Sequence, residues 1–163
     1  MNVIFEKEGK NMGRYERLIF VCTENTTRSP MAEAIYNSMQ IGNMIEVLSR
    51  GLVVLFPEPM NPKAEVVLNN HELQISEHIA KQFRSHEVDE HTLILTMTMN
   101  EKIKIEEEYF VNSNVYTLKE FAGESGDVSD PYGGTLLEYE ECFGELLRLV
   151  KKAAYRIDKE NNE

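Results

Sequence analysis

Short apolar runs alternate with helix-like segments along most of this chain, and this alternation restricts its fold more than any other feature. Four runs have the length and composition of strands: RLIFVC, IEVLSRG, HTLILTMT and NVYTLKEF. Strands that are joined by helical crossovers form parallel sheets with helices on both faces. The sequence therefore predicts a single α/β domain, with a central four-stranded parallel sheet flanked by helices on both faces.

The predicted helices begin at recognisable start signals. Ser29 is a candidate N-cap with Pro30 at the first helical position, and this helix extends to about Met39. The last helix begins with a capping box, in which Thr135 is followed one turn later by Glu138. The other predicted helices are KAEVVLNN, SEHIAKQF and NEKIKIEEEYF.

The N-terminal residues 1–16 are polar and lack the apolar core of a signal peptide. We predict that they form an extension that is either disordered or the product of an upstream start codon, and we assign the domain to residues 17–158. No apolar run approaches the length of a membrane span. We therefore expect a cytoplasmic protein without a membrane partner.

The net charge of −11 argues against a nucleic-acid partner and against anionic membranes, because both are bound mainly through Lys and Arg. An anionic ligand must then be held by a local positive site. The chain has two cysteines, Cys22 and Cys142. Neither a disulfide framework nor a metal-ligand cluster is predicted from them, and no metal or cofactor is expected.

A local positive site is predicted in FVCTENTTRSP, between the first strand and the first helix. Cys22 ends the strand, and the carboxyl ends of the strands form the active crevice of such sheets. The N–H groups of residues 23–29, the helix N-terminus and the guanidinium of Arg28 can together bind a phosphate. The same groups favour a thiolate, so we predict a Cys22 pKa well below the free value of about 8.5.

This arrangement predicts phosphoryl transfer. A thiolate at Cys22 can attack phosphorus to give a phosphocysteine, which water then hydrolyses. The leaving group needs an acid. Asp130 is the candidate, because it lies on the Gly/Asp/Ser-rich segment AGESGDVSDPYGG and precedes Pro131.

The segment VCTENTTRSPMAE resembles the active-site loop of the low-molecular-weight protein tyrosine phosphatases, whose signature is Cys, five residues, Arg and Ser. SDPYGG resembles the Asp-Pro-aromatic element that carries their general acid, and LSRG, SEHIAKQ and the terminal helix match as well. The resemblance extends from Arg17 to Ile157. It implies a phosphoprotein phosphatase without a cofactor, with a phosphorylated protein as substrate and inorganic phosphate as product.

The resemblance assigns roles to individual residues. Cys22 is the nucleophile, Arg28 is the ligand of phosphate and transition state, and Asp130 is the general acid and later the general base. Ser29 hydrogen-bonds the thiolate and helps it to leave. Phosphate is bound by the loop residues Thr23, Glu24, Asn25, Thr26, Thr27 and Ser29.

Four residues have supporting roles in this resemblance. Asn25 holds a left-handed backbone turn, which Asn tolerates better than most residues. Ser49 and His78 support Asn25 through hydrogen bonds. Tyr132 forms an aromatic wall of the substrate cleft.

Three loop positions depart from the family pattern. Glu24 replaces a glycine, and its carboxylate opposes both thiolate and phosphate unless the side chain points to solvent. Thr27 replaces a second loop cysteine. Thr26 replaces a bulky aliphatic residue, and together with the Gly-Gly after the Asp-Pro-aromatic element it resembles the bacterial protein arginine phosphatase branch. The sequence slightly favours phosphoarginine over phosphotyrosine as the substrate.

Three other functions fit parts of the pattern. Glu24 leaves open a catalytically weak phospho-binding module. An arsenate reductase on the same fold shuttles a disulfide through two further cysteines, of which only Cys142 is present. A phosphocarrier that passes on the phosphate from Cys22 is disfavoured by Asp130, which would hydrolyse the intermediate.

Overall fold

The computed structural model describes residues 13–42 and 44–163. Most of the predicted N-terminal extension, residues 1–12, lies outside these ranges. Tyr15, which belongs to the same predicted extension, is buried. Its ring packs edge-on against Phe121, and its hydroxyl donates a hydrogen bond to Glu160 at 2.7 Å. Packing in the described residues therefore begins before Arg17.

The described residues form one four-stranded parallel sheet, as predicted. The strands pair in the order β2-β1-β3-β4, and they are β1 (Arg17–Cys22), β2 (Glu46–Gly51), β3 (Thr92–Thr96) and β4 (Val115–Thr117). The two central strands, β1 and β3, are buried almost throughout, which explains their near-continuous apolar sequences. Because all strands are parallel, their carboxyl ends share one edge, where Cys22 is in register with Gly51.

Five α-helices are present in the described ranges: α1 (Arg28–Met39), α2 (Pro62–Asn70), α3 (Met99–Glu108), α4 (Leu118–Phe121) and α5 (Leu136–Asn161). Capping boxes begin three of them, formed by Thr98 and Glu101 for α3, Thr117 and Glu120 for α4, and Thr135 and Glu138 for α5. The box at the start of α5 is the one that the sequence predicts.

The segment NVYTLKEF, predicted as one strand, is a strand only as far as Thr117 and then continues as α4. The capping box causes the change. The hydroxyl of Thr117 accepts from the N–H of Glu120, and the Glu120 carboxylate accepts from the N–H of Thr117, both at 2.9 Å. These two bonds satisfy the first backbone donors of a helix, so the strand ends there.

The segment SEHIAKQF, predicted as a helix, contains no helix. Its backbone pairs with the end of β2 instead. The N–H of Gly51 donates to the carbonyl of Lys81 at 2.8 Å, and the N–H of Phe83 donates to the carbonyl of Gly51 at 2.7 Å. Phe83 is fully buried. Tertiary pairing and burial therefore override the local helical pattern.

The first helix also begins differently from the prediction. α1 begins at Arg28 with Thr27 at the N-cap position, where the described residues supply no side-chain cap. Ser29, the predicted cap, lies in the first turn. Its hydroxyl oxygen is 3.0 Å from Cys22 Sγ and accepts a hydrogen bond from Asn25 Nδ2 at 2.8 Å.

Helices cover both faces of the sheet, as predicted. On one face, Leu18 and Phe20 of β1 belong to a buried cluster with residues of α1, α2 and α5. On the other face, Ile19 and Val21 pack in a smaller cluster with Ile105 of α3. In the part of the chain that the structure describes, no helix is long and apolar enough to cross a membrane.

Candidate active site

The loop that joins β1 to α1, residues 22–28, surrounds a small pocket at the carboxyl edge of the sheet, and we call it the phosphate loop. The pocket is lined by Cys22, residues 24–28, Asp130 and Tyr132. The fold therefore brings the predicted nucleophile, arginine and acid into one place, although they are distant in the sequence.

Cys22 lies directly at the N-terminal end of α1 and is 3% exposed. Its Sγ accepts a hydrogen bond from the N–H of Asn25 at 3.3 Å and is 3.0 Å from Ser29 Oγ. Both groups can donate to a sulfur anion. The local geometry is therefore that of a thiol whose ionised form has hydrogen-bond partners ready.

The prediction of a low Cys22 pKa is nevertheless contradicted. Burial raises the pKa of the Cys22 thiol, and the carboxylate of Glu101 raises it further, whereas Arg28 and the hydrogen bonds from Ser29 lower it. The groups that stabilise the anion are visible in the sequence. The loss of water around a sulfur buried this deeply is not, and it disfavours the charged form.

Asn25 fixes the shape of the phosphate loop. It has a φ of 61°, in the left-handed region. Its Nδ2 donates to Ser29 Oγ at 2.8 Å and to Ser49 Oγ at 3.0 Å, and its Oδ1 accepts from the N–H of Lys81 at 2.9 Å. The side chain thus connects the loop to β2 and to the segment that pairs with β2.

The side chain of His78 contacts the backbone of Asn25. Its Nε2 lies 2.7 Å from the carbonyl oxygen of Asn25, so Nε2 carries the proton that makes this hydrogen bond. Burial lowers the pKa of His78. The neutral imidazole is therefore the form that holds the carbonyl of the left-handed residue in place.

Gly51, at the end of β2, permits the close approach of β2 to the phosphate loop. A Cβ atom at this position would lie 2.9 Å from the carbonyl oxygen of Thr23 and 3.0 Å from Asn25 Cβ. The chain then continues past the loop, where the N–H of Val53 donates to the same Thr23 carbonyl at 2.9 Å. Gly51 supplies no functional group, but the loop packs against it.

Arg28 is buried and faces three groups. Its Nη1 donates to the carbonyl of Val128 at 2.9 Å, and its Nη2 lies 3.6 Å from both Glu101 Oε2 and Asp130 Oδ2. Val128 precedes Asp130 by two positions. The arginine that is predicted to bind phosphate therefore also anchors the segment that carries the predicted acid.

The predicted acid lies on the acid loop, residues 122–135 between α4 and α5. The loop is tied to the residue that follows β3 by a hydrogen bond from the N–H of Val128 to the carbonyl of Met97 at 2.9 Å. The Asp130 side chain is 41% exposed, and its Oδ1 accepts from the N–H of Tyr132 at 3.1 Å. Tyr132 is 76% exposed at the mouth of the pocket. Both side chains can thus meet a ligand and water.

Glu101 is a site residue that the sequence analysis missed. It is buried at the start of α3, and its Oε2 accepts a hydrogen bond from the hydroxyl of Thr23 at 2.9 Å. The available signal was the capping-box pattern Thr98-x-x-Glu101. That pattern predicts a helix start, but it gives no indication that the carboxylate faces Arg28.

The three departures from the family pattern lie in different environments. Glu24 is exposed to solvent, but it also lines the pocket. Thr27 is buried, and Thr26 is half-buried in the wall of the pocket. The carbonyl of Thr26 accepts from the N–H of Asn61 at 2.9 Å, which joins the loop to the start of α2.

No group of three or more His, Cys, Asp or Glu side chains in residues 13–42 and 44–163 could hold a metal ion. Cys142 is buried in α5, and its Sγ is 3.9 Å from the carbonyl oxygen of Ser129 in the acid loop. Burial raises its pKa to about 12. This thiol is therefore a poor nucleophile at neutral pH.

Comparisons with known proteins all point to one family of phosphatases. The sequence model of the family described as "Low molecular weight phosphotyrosine protein phosphatase" matches residues 17–163. The chain is similar to the low-molecular-weight protein-tyrosine-phosphatase PtpB of Staphylococcus haemolyticus, with 39% identity over 136 residues that cover 83% of this chain and 96% of that one. It is similar to the protein-arginine-phosphatase of Geobacillus stearothermophilus, with 33% identity over 88% of this chain and 97% of that one.

A solved structure adds a chemical observation. The fold matches that of a YwlE arginine phosphatase mutant with a phosphorylated active-site serine, with a TM-score of 0.81 and 31% sequence identity. The match covers 90% of this chain and 98% of that one. In that protein, as its description states, an active-site side chain carries the phosphoryl group.

Proposed function

This chain belongs to the low-molecular-weight phosphotyrosine protein phosphatase family, and we propose that it hydrolyses phosphoarginine or phosphotyrosine in proteins with Cys22 as the nucleophile. One observation carries the residue assignment. The sulfur of Cys22, the guanidinium of Arg28 and the carboxylate of Asp130 line a single pocket at the N-terminus of α1.

Substrate binding uses the phosphate loop. Its N–H groups, the N-terminus of α1 and the guanidinium of Arg28 are arranged around the pocket and can bind a phosphoryl group with its negative charge. Arg28 is already held on one side by the Val128 carbonyl. Binding therefore needs little reorganisation of the arginine, which favours stabilisation of the planar transition state.

In the first chemical step, Cys22 attacks phosphorus. A sulfur–phosphorus bond forms, and the phosphorus–oxygen bond of phosphotyrosine or the phosphorus–nitrogen bond of phosphoarginine breaks. Asp130 gives its proton to the departing oxygen or nitrogen. Formation of the thiolate is assisted by Arg28, Ser29 and the N–H of Asn25, which act against the effect of burial.

In the second step, water hydrolyses the phosphocysteine. Asp130, now ionised, takes a proton from the water molecule while the water oxygen attacks phosphorus. The sulfur–phosphorus bond breaks, and the sulfur leaves as a thiolate that Ser29 stabilises from 3.0 Å. Inorganic phosphate is the product. The exposure of Asp130 supports this role, because the same carboxyl group must meet both a bulky leaving group and water.

The preference between the two substrates depends on Thr26. Its small polar side chain lines the pocket, and a hydroxyl can accept a hydrogen bond from a guanidinium, whereas an aliphatic side chain packs better against a phenyl ring. Relatives carry both activities in their names. We propose phosphoarginine as the preferred substrate.

The alternatives are weaker. The exposure of Glu24 lets solvent screen its carboxylate, which weakens the reason to expect a silent phospho-binding module. Cys142, the one cysteine besides Cys22, is buried in α5, which is unfavourable for the thiol relay of an arsenate reductase. The cytoplasmic location and the lack of a nucleic-acid partner stay predictions from the sequence.

One set of assays tests this proposal. The purified chain should hydrolyse para-nitrophenyl phosphate, and rapid acid quenching should trap a phosphoryl group on the Cys22 peptide, as measured by mass spectrometry. The specificity is measured as kcat/KM for matched phosphoarginine and phosphotyrosine peptides, with wild type and Thr26→Ile. We expect the substitution to lower the ratio of phosphoarginine to phosphotyrosine turnover by about tenfold or more, because a hydrogen-bond partner is lost.

Three outcomes are decisive. Binding of phosphate without any turnover of para-nitrophenyl phosphate would support the silent module. Turnover without a phosphorylated Cys22 would exclude the phosphocysteine. A specificity ratio that does not change in Thr26→Ile, or a wild type that ignores phosphoarginine, would leave phosphotyrosine as the substrate.

A further inference from the structure

Glu101 has more contacts than a helix cap requires. Its side chain is 5% exposed at the start of α3. One oxygen, Oε1, accepts hydrogen bonds from the N–H groups of Met97 and Thr98, both at 2.9 Å. The bond from Thr98 closes the capping box of the helix, and the N–H of Met97 is shared with the carbonyl of Val21 at 3.1 Å.

The second oxygen of the same carboxylate faces the phosphate loop. Oε2 accepts from the hydroxyl of Thr23 at 2.9 Å and lies 3.6 Å from Nη2 of Arg28. Arg28 is itself buried, with 6% of its side chain exposed. A buried guanidinium needs a fixed partner, because a buried charge without one is unfavourable.

The other two capping boxes in the described residues provide a comparison for Glu101. Glu120 in α4 caps the helix through Oε1 and pairs with Lys102 at 3.0 Å. Glu138 in α5 caps its helix through Oε1 and is exposed. Neither lines the pocket around Cys22 or the cavity beside it.

We propose that Glu101 is a positioning residue for the reaction, whose carboxylate orients the guanidinium of Arg28 and the hydroxyl of Thr23 at the phosphate loop. This inference rests on the proposed function. Arginine loses considerable side-chain entropy when it is fixed, and the contacts with Glu101 and with the Val128 carbonyl fix it before substrate binds. The remaining N–H groups of Arg28 are then held in a geometry that suits a phosphoryl group.

This arrangement has an electrostatic consequence. The negative charge of Glu101 raises the pKa of Cys22, while Arg28 lowers it. The neighbouring cavity of about 440 Å³, which Glu101 borders, is also lined by Asp127, Asp130 and Lys104. Glu101 therefore orients the ligand of the transition state and at the same time disfavours the thiolate. Removal of the Glu101 charge and removal of its contacts should therefore affect the ionisation of Cys22 differently.

Two variants separate charge from contact. Glu101→Gln keeps the shape and an acceptor oxygen but removes the charge. Glu101→Asp keeps the charge but shortens the side chain by one methylene. Glu120→Gln is the matched control, because it makes the same change in a capping box away from the site. Each protein is measured for thermal stability, for kcat and KM with para-nitrophenyl phosphate, and for the pH dependence of Cys22 alkylation by iodoacetamide.

We expect both Glu101 variants to lower kcat about 10- to 100-fold, because a misplaced Arg28 stabilises the transition state less well. Only Glu101→Gln should move the alkylation midpoint of Cys22 to lower pH. Glu120→Gln should keep the kcat and the alkylation profile of wild type. Mass spectrometry of the Cys22 peptide separates its alkylation from that of Cys142.

The outcomes distinguish this inference from the proposed function. If Glu101→Gln and Glu101→Asp behave like Glu120→Gln, with altered stability but unchanged kcat and alkylation, Glu101 is only a helix cap and the inference is wrong. If wild type has no phosphatase activity, the proposed function fails. The alkylation profile, which needs no turnover, then still decides whether Glu101 acts on Cys22 in the way described.

Discussion

Two carboxylates face the same nitrogen of Arg28 at the same distance, yet they belong to different parts of the site. Glu101 Oε2 and Asp130 Oδ2 both lie 3.6 Å from Nη2. The Glu101 side chain is 5% exposed and is fixed in the capping box of α3, whereas the Asp130 side chain is 41% exposed on the acid loop. Distance to the arginine therefore does not define the role of either group.

The difference in burial separates orientation from proton transfer. A buried carboxylate that already accepts three hydrogen bonds is suited to hold its partners in place. A carboxylate at the mouth of a pocket can meet a leaving group and then a water molecule. We therefore expect Glu101 to act through Arg28 and Asp130 to act on the reacting atoms.

The same contrast holds for the two regions that form the pocket. The phosphate loop is fixed by buried side-chain contacts from Asn25 to Ser29 and Ser49, and by the His78 hydrogen bond to the Asn25 carbonyl. The acid loop presents exposed side chains, and Val128 anchors it. Substitutions of the side chains that fix the first region should change binding and folding, and those of Asp130 in the second should change proton transfer.

The largest effect is expected for Cys22→Ser, which removes the proposed nucleophile from the fixed region. Phosphatase activity should be abolished, while phosphate binding and folding stay close to wild type, because the loop N–H groups and Arg28 hold the anion. Activity is measured with para-nitrophenyl phosphate and binding by calorimetry with inorganic phosphate. Activity that survives in Cys22→Ser would contradict the phosphocysteine mechanism.

The next effect concerns the exposed carboxylate. Asp130→Ala should lower turnover of substrates with poor leaving groups by about 10²–10⁴-fold, and turnover of an activated aryl phosphate by much less, because only the former need a proton. The measurement is kcat for a series of aryl phosphates of rising phenol pKa. An equal loss across the series would mean that Asp130 only supports the structure.

The buried carboxylate should give a smaller and different pattern in the same series. Glu101→Gln should lower kcat by a similar factor for good and poor leaving groups, about 10- to 100-fold, because it acts through Arg28 and not on the leaving group. The dependence of kcat on phenol pKa should therefore stay as in wild type. A steeper dependence in Glu101→Gln would show that the two carboxylates share proton transfer, and the contrast between them would be lost.

The smallest effect is expected in stability, within the fixed region. Burial lowers the pKa of His78 from its ordinary value of 6.5, so the unfolded chain takes up a proton at a higher pH than the folded one. The stabilising contribution is present above pH 6.5 and is lost as the pH falls toward the lower folded pKa. His78→Gln keeps a donor for the Asn25 carbonyl but does not titrate, so it should lose less stability over this range.

This comparison is made by thermal unfolding of wild type and His78→Gln at pH 7.5 and pH 5.5, with His86→Gln at an exposed position as the control. If wild type and His78→Gln lose the same stability on acidification, His78 has no part in the pH response. A loss in His86→Gln that differs from wild type would show that the response comes from elsewhere.

The strands and most helices could be predicted because their signals are local. The apolar runs that became β1 and β3 are buried on both faces, and the capping box at Thr135 acts within one turn of helix. The helix predicted for SEHIAKQF is wrong because the conformation of this segment depends on pairing with Gly51, a contact between distant segments. The end of β4 at Thr117 depends on a capping box that lies inside a strand-like pattern.

The proposed reacting groups of the site are also easier to recognise in the sequence than their environment. The spacing of Cys22 and Arg28 and the Asp-Pro pair at Asp130 are visible in the sequence. The direction of the Cys22 pKa shift depends on burial, and the role of Glu101 depends on which way a capping side chain points in the folded chain. Both are properties of packing, for which the sequence has no local pattern.

Because Gly51 lies so close to the phosphate loop, resistance to substitution at a position of this chain does not by itself indicate a role in catalysis. Any other residue there would bring a Cβ to 2.9 Å from the Thr23 carbonyl and would displace the loop that holds Cys22. In a survey of all single substitutions, Gly51 should therefore group with Cys22 and Arg28, although it contributes no atom to bond making or proton transfer. Resistance to substitution at Gly51 reflects the space that the phosphate loop needs. A set of functional residues chosen by such resistance would therefore include positions that matter only because they have no side chain.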